Sequence, residues 1–299
     1  CSSDLAEIIL TSFDRDRERA SEAASELGHP IEMLELDVTQ PAQFERLTAD
    51  LRDRWGRLDG VLHAVAFAPR AALAGDFLAA DAASVQQAFH TSAHSYASLA
   101  KVLAELAPPG EGSIVGLDFD AAGAWPVYNW MGVCKAALEA VSRYVARDLG
   151  PSGIRSNLVA AGPLHTRAAG GIPDFELLAA AWEARSPMRW DVRDPAPVAD
   201  AVCFLLSDMA RAITGEILHV DGGYHAMAAG LERPWNDGKP SPDDVDRHFE
   251  IHRPIEQRLD PPPGRGGKQQ VIALDNKQPC GCGNGEGVVD RVLDFARVA

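Results

Sequence analysis

The stretch "YNWMGVCK" places Tyr128 and Lys135 seven residues apart with no helix breaker between them. On an α-helix seven steps turn about 700°, within about 20° of two full turns, and climb about 10 Å. The two side chains then share a face, with Met131 between them. A phenol ionises near pH 10, roughly, so it can donate a hydrogen bond to a developing enolate oxygen and stay neutral at rest. A neighbouring ammonium would hold ribose hydroxyls and favour negative charge on nearby oxygens. Spacing alone does not separate such a pair from two ordinary residues on one helix, so the setting decides.

The setting is an alternation of short apolar runs and long amphipathic ones. Candidate strands are "EIILTSF", "IEMLELDV", "LDGVLHAVAF", "GSIVGLDF", "IRSNLVAAG" and "EILHV". Segments with apolar residues at three and four spacing separate them, among them "PAQFERLTADLRDRWG" and "SVQQAFHTSAHSYASLAKVLAEL". This pattern predicts an α/β fold, a doubly wound parallel sheet with helices on both faces. "YNWMGVCKAALEAVSRYVARDLG" reads as one helix, with Pro126 before it and Gly150 at its end. It follows the strand "GSIVGLDF", so its start lies near a strand's carboxyl end, where open α/β sheets bind ligands.

Composition narrows the function. The chain has 299 residues and a formal net charge of −15, a field that repels phosphate backbones and anionic membranes. No stretch approaches the roughly eighteen apolar residues that span a bilayer, and the start has no signal-peptide character. The expected setting is therefore the cytoplasm, with neither nucleic acid nor membrane as partner. Five scattered cysteines predict free thiols rather than a disulfide framework.

The ordered blocks "EIILTSFDR", "LELDVTQ", "LDGVLHAVAFAP", "HSYASLAK", "GSIVGLDFD", "YNWMGVCK", "IRSNLVAAGPLHT" and "TGEILHVDGGYHAM" carry a family resemblance over about three quarters of the chain. It resembles the NADH-dependent enoyl-acyl carrier protein reductases, a branch of the short-chain dehydrogenase/reductase superfamily with a Rossmann-like fold, and is most similar to actinobacterial members. The seven-residue spacing of Tyr128 and Lys135 is a mark of that branch. The resemblance implies hydride delivery from NADH to the β-carbon of a trans-2-enoyl thioester on acyl carrier protein, as part of fatty acid biosynthesis, by a homotetramer. It implies that Tyr128 binds the thioester carbonyl, that Lys135 holds the nicotinamide ribose, and that Phe119 and Met131 lie beside the substrate. It assigns to the cofactor Phe13, Asp37, Val38, Ala64, Val65, Ala66, Thr91, Leu117, Ala161, Gly162, Pro163, Leu164 and Thr166. Arg15 would tolerate a ribose phosphate, which leaves NADPH as the second choice. A carbonyl reductase of the same superfamily and a non-catalytic remnant are the competing readings.

Several features depart from the family pattern. Ala64 stands where many relatives carry serine, and the stretch from Thr166 to Pro187 is shorter than in long-chain reductases, which favours short to medium acyl chains. The first strand arrives at once after Cys1, with no glycine-rich turn ahead of it to cradle a pyrophosphate. The sheet is therefore expected to lack its first, central strand and to be open there. Arg167, Arg185, Arg189 and Arg193 form a candidate landing patch for acidic carrier protein, although Asp174, Glu176, Glu183 and Asp191 lie among them. The domain is expected to cover 1–230. Beyond it, 231–299 is rich in proline, glycine and charge and reads as a largely irregular extension of unknown role. His248 and His252 in "HFEIH" and the later "CGC" do not make a metal motif, so no metal is expected.

Overall fold

The computed structural model describes residues 7–13, 17–25, 31–166, 169–172, 174–228 and 269–275. Its strands are β1 (Glu7–Ser12), β2 (Glu32–Glu35), β3 (Gly60–Val65), β4 (Ser113–Asp118), β5 (Arg155–Ala161), β6 (Ile217–Val220) and β7 (Gln269–Asp275). The helices are α1 (Arg17–Ser25), α2 (Pro41–Trp55), α3 (Arg70–Leu73), α4 (Ala82–Phe89), α5 (Ser95–Leu106), α6 (Asn129–Leu149), α7 (Phe175–Arg185) and α8 (Ala196–Leu206). All six strands expected from the apolar runs are present. The extension's "HFEIH" and "CGC", its final "GVVDRVLDFARVA", Arg15 and Arg167 lie outside the described residues.

The strands form one sheet in the order β2-β1-β7-β3-β4-β5-β6. β1 and β2 pair in parallel, as do β3, β4, β5 and β6 in succession. Alternating residues along each strand feed two different cores. Ile8, Leu10, Leu62, Val115 and Val159 pack on one face, and Ile9, Val61, Ile114 and Leu158 on the other. That is the period-two alternation of a sheet buried on both sides, and it explains why these strands read as continuous apolar runs. α2, α5 and α6 cover one face with Leu51, Leu99, Leu103 and Leu138, while α8 covers the other with Val198 and Val202.

The middle of the sheet corrects one expectation. The gap between β1 and β3 is not open, because β7 fills it and runs antiparallel to both neighbours. Its register sets Leu10 against Ile272 and Leu62 against the same residue, so the backbone groups of β1 and β3 that face the gap gain partners. Gln269 stands opposite Val65 and Gln270 opposite Ser12, so β7 begins at the carboxyl edge of the parallel strands. In the doubly wound order a parallel strand at this place leads into the glycine-rich turn. Here the reversed strand leads toward the opposite edge.

A second local departure lies between α4 and α5. The stretch that reads as one continuous helix contains a π-helical turn over His90–His94. Such a turn inserts an extra residue into the helical ladder and is frequent at functional sites. Ser92 ties it to the end of β3, its hydroxyl accepting from the Phe67 amide at 2.9 Å and donating to the Phe67 carbonyl at 2.9 Å.

Candidate active site

The carboxyl ends of the parallel strands bring the expected residues to one edge. Phe13 follows β1, Asp37 and Val38 follow β2, Val65 and Ala66 close β3, Leu117 and Phe119 flank the end of β4, and Ala161 to Thr166 leave β5. The strand order reverses at the slot filled by β7, which is the crevice position of this architecture.

Tyr128 sits at the cap of α6 rather than within it, with φ −112° and ψ −23°, and the helix proper starts at Asn129. Its neighbours carry the strain. Val127 has φ 60° and Asn129 φ 37°, values in the left-handed region, and for a β-branched residue that is a true outlier. Two side-chain anchors hold this corner: Asn129 Nδ2 donates to the Gly75 carbonyl at 3.0 Å and Trp130 Nε1 to the Phe77 carbonyl at 3.0 Å. The Phe77 ring stacks on Trp130 at 4.7 Å. The corner is thus fixed to the segment after α3, and Tyr128 is buried beneath it.

Lys135 is also buried, and its Nζ donates to the Leu117 carbonyl at 2.8 Å. Burial pulls the ammonium toward deprotonation, and the neighbouring Asp118 charge opposes that pull. Burial pushes the Tyr128 phenol far above its ordinary range, with the Asp118 charge adding to the effect. Tyr128 is therefore a neutral hydrogen-bond donor in a buried site, and Lys135 has donors beyond the one it gives Leu117.

Around the phenol the surroundings are aromatic. Phe119 lies 5.0 Å from Tyr128, 5.5 Å from Trp125 and 5.4 Å from Trp182, ring centre to ring centre. Trp182, carried by α7, stacks on Tyr224 at 3.9 Å with 9° between the planes. Met131 belongs to the same core, as expected of a residue on the inner face of α6. Trp125, Trp182 and Tyr224 escaped the sequence reading because they come from three separate segments that only the fold brings together. The available signal was the tryptophan in an otherwise small, helical stretch, "LLAAAWEAR". The Trp182 indole Nε1 is buried without a partner, an unmet donor in an apolar wall.

The residues expected at the cofactor fall into two groups. Asp37 accepts from the Thr39 amide at 2.9 Å and from its hydroxyl at 2.7 Å, so one carboxylate oxygen organises the turn after β2. Val38 is buried, and Phe13, Ala64 and Ala66 are half-buried. On the other side, Trp190 Nε1 donates to the Pro163 carbonyl at 2.7 Å, and a Cβ on Gly162 would come within 2.7 Å of the Trp190 ring. Glycine is therefore required where the chain leaves β5. Leu164 lies beside it, and the Thr166 hydroxyl accepts from the Ala169 amide at 3.1 Å.

A further set of polar atoms is buried and unmet. Thr91 Oγ1, presented by the π-helical turn, and both carboxylate oxygens of Asp118 are buried without partners, as is His63 Nδ1. The His63 Nε2 contacts the Ser95 hydroxyl at 2.8 Å, and burial lowers the imidazole to about 3, so it stays neutral. Unpaired buried groups near an ammonium that keeps donors beyond the one it gives Leu117 are what a site for a hydroxyl-rich ligand requires, and in this respect the residues fit a dinucleotide's nicotinamide ribose. Among the described residues there is no glycine-rich strand-to-helix turn for its pyrophosphate.

Comparison with known proteins places the chain. A family profile described as Enoyl-(Acyl carrier protein) reductase matches residues 1–225. A protein of Mycolicibacterium smegmatis named Enoyl-[acyl-carrier-protein] reductase [NADH] is 42% identical over 233 residues, 73% of this chain and 86% of that protein. The Neisseria meningitidis and Escherichia coli proteins named Enoyl-[acyl-carrier-protein] reductase [NADH] FabI are 40% and 38% identical, over 78% and 75% of this chain and 89% and 85% of their own. With the Tyr128 and Lys135 pair at a strand's carboxyl end and a profile that spans three quarters of the sequence, the chain belongs to the enoyl-acyl carrier protein reductase family.

Proposed function

We propose that the protein reduces the trans-2 double bond of an enoyl thioester carried by acyl carrier protein, using NADH, in fatty acid biosynthesis. The observation that carries this reading is the neutral, buried phenol of Tyr128 in an aromatic wall, next to the buried ammonium of Lys135. NADH supplies the hydride that the β-carbon accepts. Tyr128 donates a hydrogen bond to the thioester oxygen, which gains charge as the enolate forms, and the bond strengthens as it does so. Phe119, Trp125 and Trp182 exclude water and hold the acyl chain against the reacting face. Lys135, with the unpartnered Thr91 hydroxyl, holds the ribose hydroxyls and so orients the ring. The α-carbon then takes a proton from solvent or from the phenol, which is reprotonated in turn.

Trp182 fills the space under α7, which supports short to medium acyl chains. Arg185, Arg189 and Arg193 are exposed along α7 and the turn after it and offer the acidic carrier protein a landing site. Arg185 also sits over the Tyr224 ring at 5.8 Å, so part of its surface is already engaged. We read the protein as a cytoplasmic homotetramer; among the described residues no helix is long and apolar enough to cross a membrane. The test of the reading is turnover of enoyl thioesters by the parent and by Tyr128→Phe. The variant should keep its NADH affinity and lose on the order of a hundredfold in kcat, the scale of one lost transition-state donor. Equal turnover would refute the role of the phenol.

A further inference from the structure

Two acidic side chains are buried to the same degree, Asp118 and Asp221, each 5% exposed. Asp221 is fully engaged: its oxygens accept from the Gly223 amide at 2.9 Å, from the His225 amide at 2.8 Å, and face the His225 ring at 3.0 Å. Asp118 is the opposite case: neither oxygen has a partner within hydrogen-bond geometry, and the Phe119 amide is the one backbone donor close enough to favour its charged form. A buried carboxylate left unpaired is costly unless a nearby charge compensates it. The peptide beside Asp118 supplies the Leu117 carbonyl that takes the Lys135 ammonium.

Of the charges that face Asp118, only Lys135 compensates it. On α6 these are Lys135 and Glu139, and on the following loop Asp120. Glu139 accepts from the Ala121 amide and approaches Arg143 at 3.7 Å, while Asp120 accepts from the Ala122 amide and faces His219 at 3.9 Å. Tyr128 faces it as a neutral phenol; His63, which lies on the Lys135 side, is a neutral imidazole, and Cys134, next to Lys135 on α6, is a neutral thiol that burial raises to about 11. Lys135 is the single cation of this group.

We propose that Asp118 is a positioning residue of the reduction, the buried counter-charge that keeps Lys135 an ammonium ion as the pH rises. The role of Lys135 toward NADH rests on the function proposed above; the electrostatic pairing does not. Burial raises the Asp118 carboxyl to about 7, with Lys135 holding it from rising further. Below that pH the carboxyl is neutral and Lys135 keeps its proton because protons are abundant. Above it the carboxylate forms, and its field offsets the burial that would otherwise strip the ammonium at alkaline pH.

Asp118→Asn keeps the shape and removes the charge, and Asp118→Ser does so with a smaller side chain. Two readouts test the idea. The first is the titration of Lys135, followed by NMR on protein carrying lysine labelled with carbon-13 at Cε and assigned with Lys135→Arg. The second is NADH affinity by fluorescence from about pH 6 to about pH 10. In both Asp118 variants the Lys135 midpoint should fall by about one pH unit or more, and affinity relative to the parent should drop progressively as the pH rises. An unchanged Lys135 midpoint, or a loss of affinity by one factor at every pH, overturns the proposal and leaves Asp118 a packing role. If the parent itself does not bind NADH, the proposed function fails, while the Lys135 midpoint still decides the pairing.

Discussion

Cutting the chain after residue 230 removes β7, and the structure sets the scale of the damage. β7 pairs with β1 over six residues and with β3 over six more. Antiparallel ladders of that length carry roughly one hydrogen bond per pair, and each contributes about 1 kcal/mol net. The loss is therefore on the order of 10 kcal/mol, against a total stability of roughly 5–15 kcal/mol for a whole domain. It also separates β2 and β1 from the four strands β3 to β6, because among the described residues β7 is their only hydrogen-bonded link in the sheet. A milder perturbation is Ile272→Pro, which removes one donor in mid-strand from a residue that stands opposite both Leu10 and Leu62. Hydrogen exchange read by mass spectrometry, together with urea unfolding, distinguishes the outcomes. In the truncated chain the amides of β1 and β3 should lose protection first, while those of β4 and β5, which pair with each other, should keep it longer. Ile272→Pro should lower the urea midpoint. Unchanged protection of β1 and β3 after truncation, with an unchanged urea midpoint, would refute the claim that this strand closes the sheet.

Other perturbations test single contacts. Lys135→Ala should abolish tight NADH binding and also lower the urea midpoint, since it leaves the buried Asp118 and the Leu117 carbonyl without their partner; calorimetric titration and urea unfolding decide. Trp182→Ala should cost about 3–5 kcal/mol by chemical denaturation and widen the acyl site, so that longer enoyl chains gain relative to shorter ones in kcat/KM. Gly162→Ala should displace the Trp190 ring from the Pro163 carbonyl and raise the Michaelis constant for NADH. The pH dependence of stability separates two opposed groups. His63 is held at about 3 when folded against 6.5 unfolded, so its contribution is present above 6.5 and is lost as the pH falls toward 3. Asp118 is raised from 3.8 to about 7, so its contribution is present below 3.8 and is lost as the pH rises to 7. The two slopes oppose each other between about 4 and 6.5, and in His63→Gln stability should fall across that interval as the pH rises. A rise instead would show that Asp118 is not the counterweight.

Of the six parallel strands, β1, β3, β4 and β5 were legible because each is a run of apolar residues buried on both faces, while the half-buried β2 and β6 were legible from their short apolar runs alone. β7 was not. Its "VIAL" is such a run, but it stands among glycine, proline and charge in the extension, and nothing local says that a strand there will pair with residues 200 positions and more away. Tyr128 and Lys135 were found by spacing, yet the helix begins one residue later than expected, because the positive φ of Val127 and Asn129 is held by anchors on Gly75 and Phe77 that no periodicity reveals. The π-helical turn that presents Thr91 hides inside a continuous helical pattern for the same reason. Asp118 was not singled out in the sequence, and only the fold shows that its buried oxygens have no partner within hydrogen-bond geometry while Lys135 lies nearby.

The most direct test of the account is a competition between substrates. The full chain would be given NADH with a trans-2-enoyl thioester and, in parallel, with a 3-ketoacyl thioester of the same length. Products would be identified by mass spectrometry. The account predicts that the enoyl thioester becomes the saturated one with one NADH consumed per double bond, and that the ketone survives. Reduction of the ketone with the double bond left intact would contradict it and assign the Tyr128 and Lys135 pair to carbonyl chemistry.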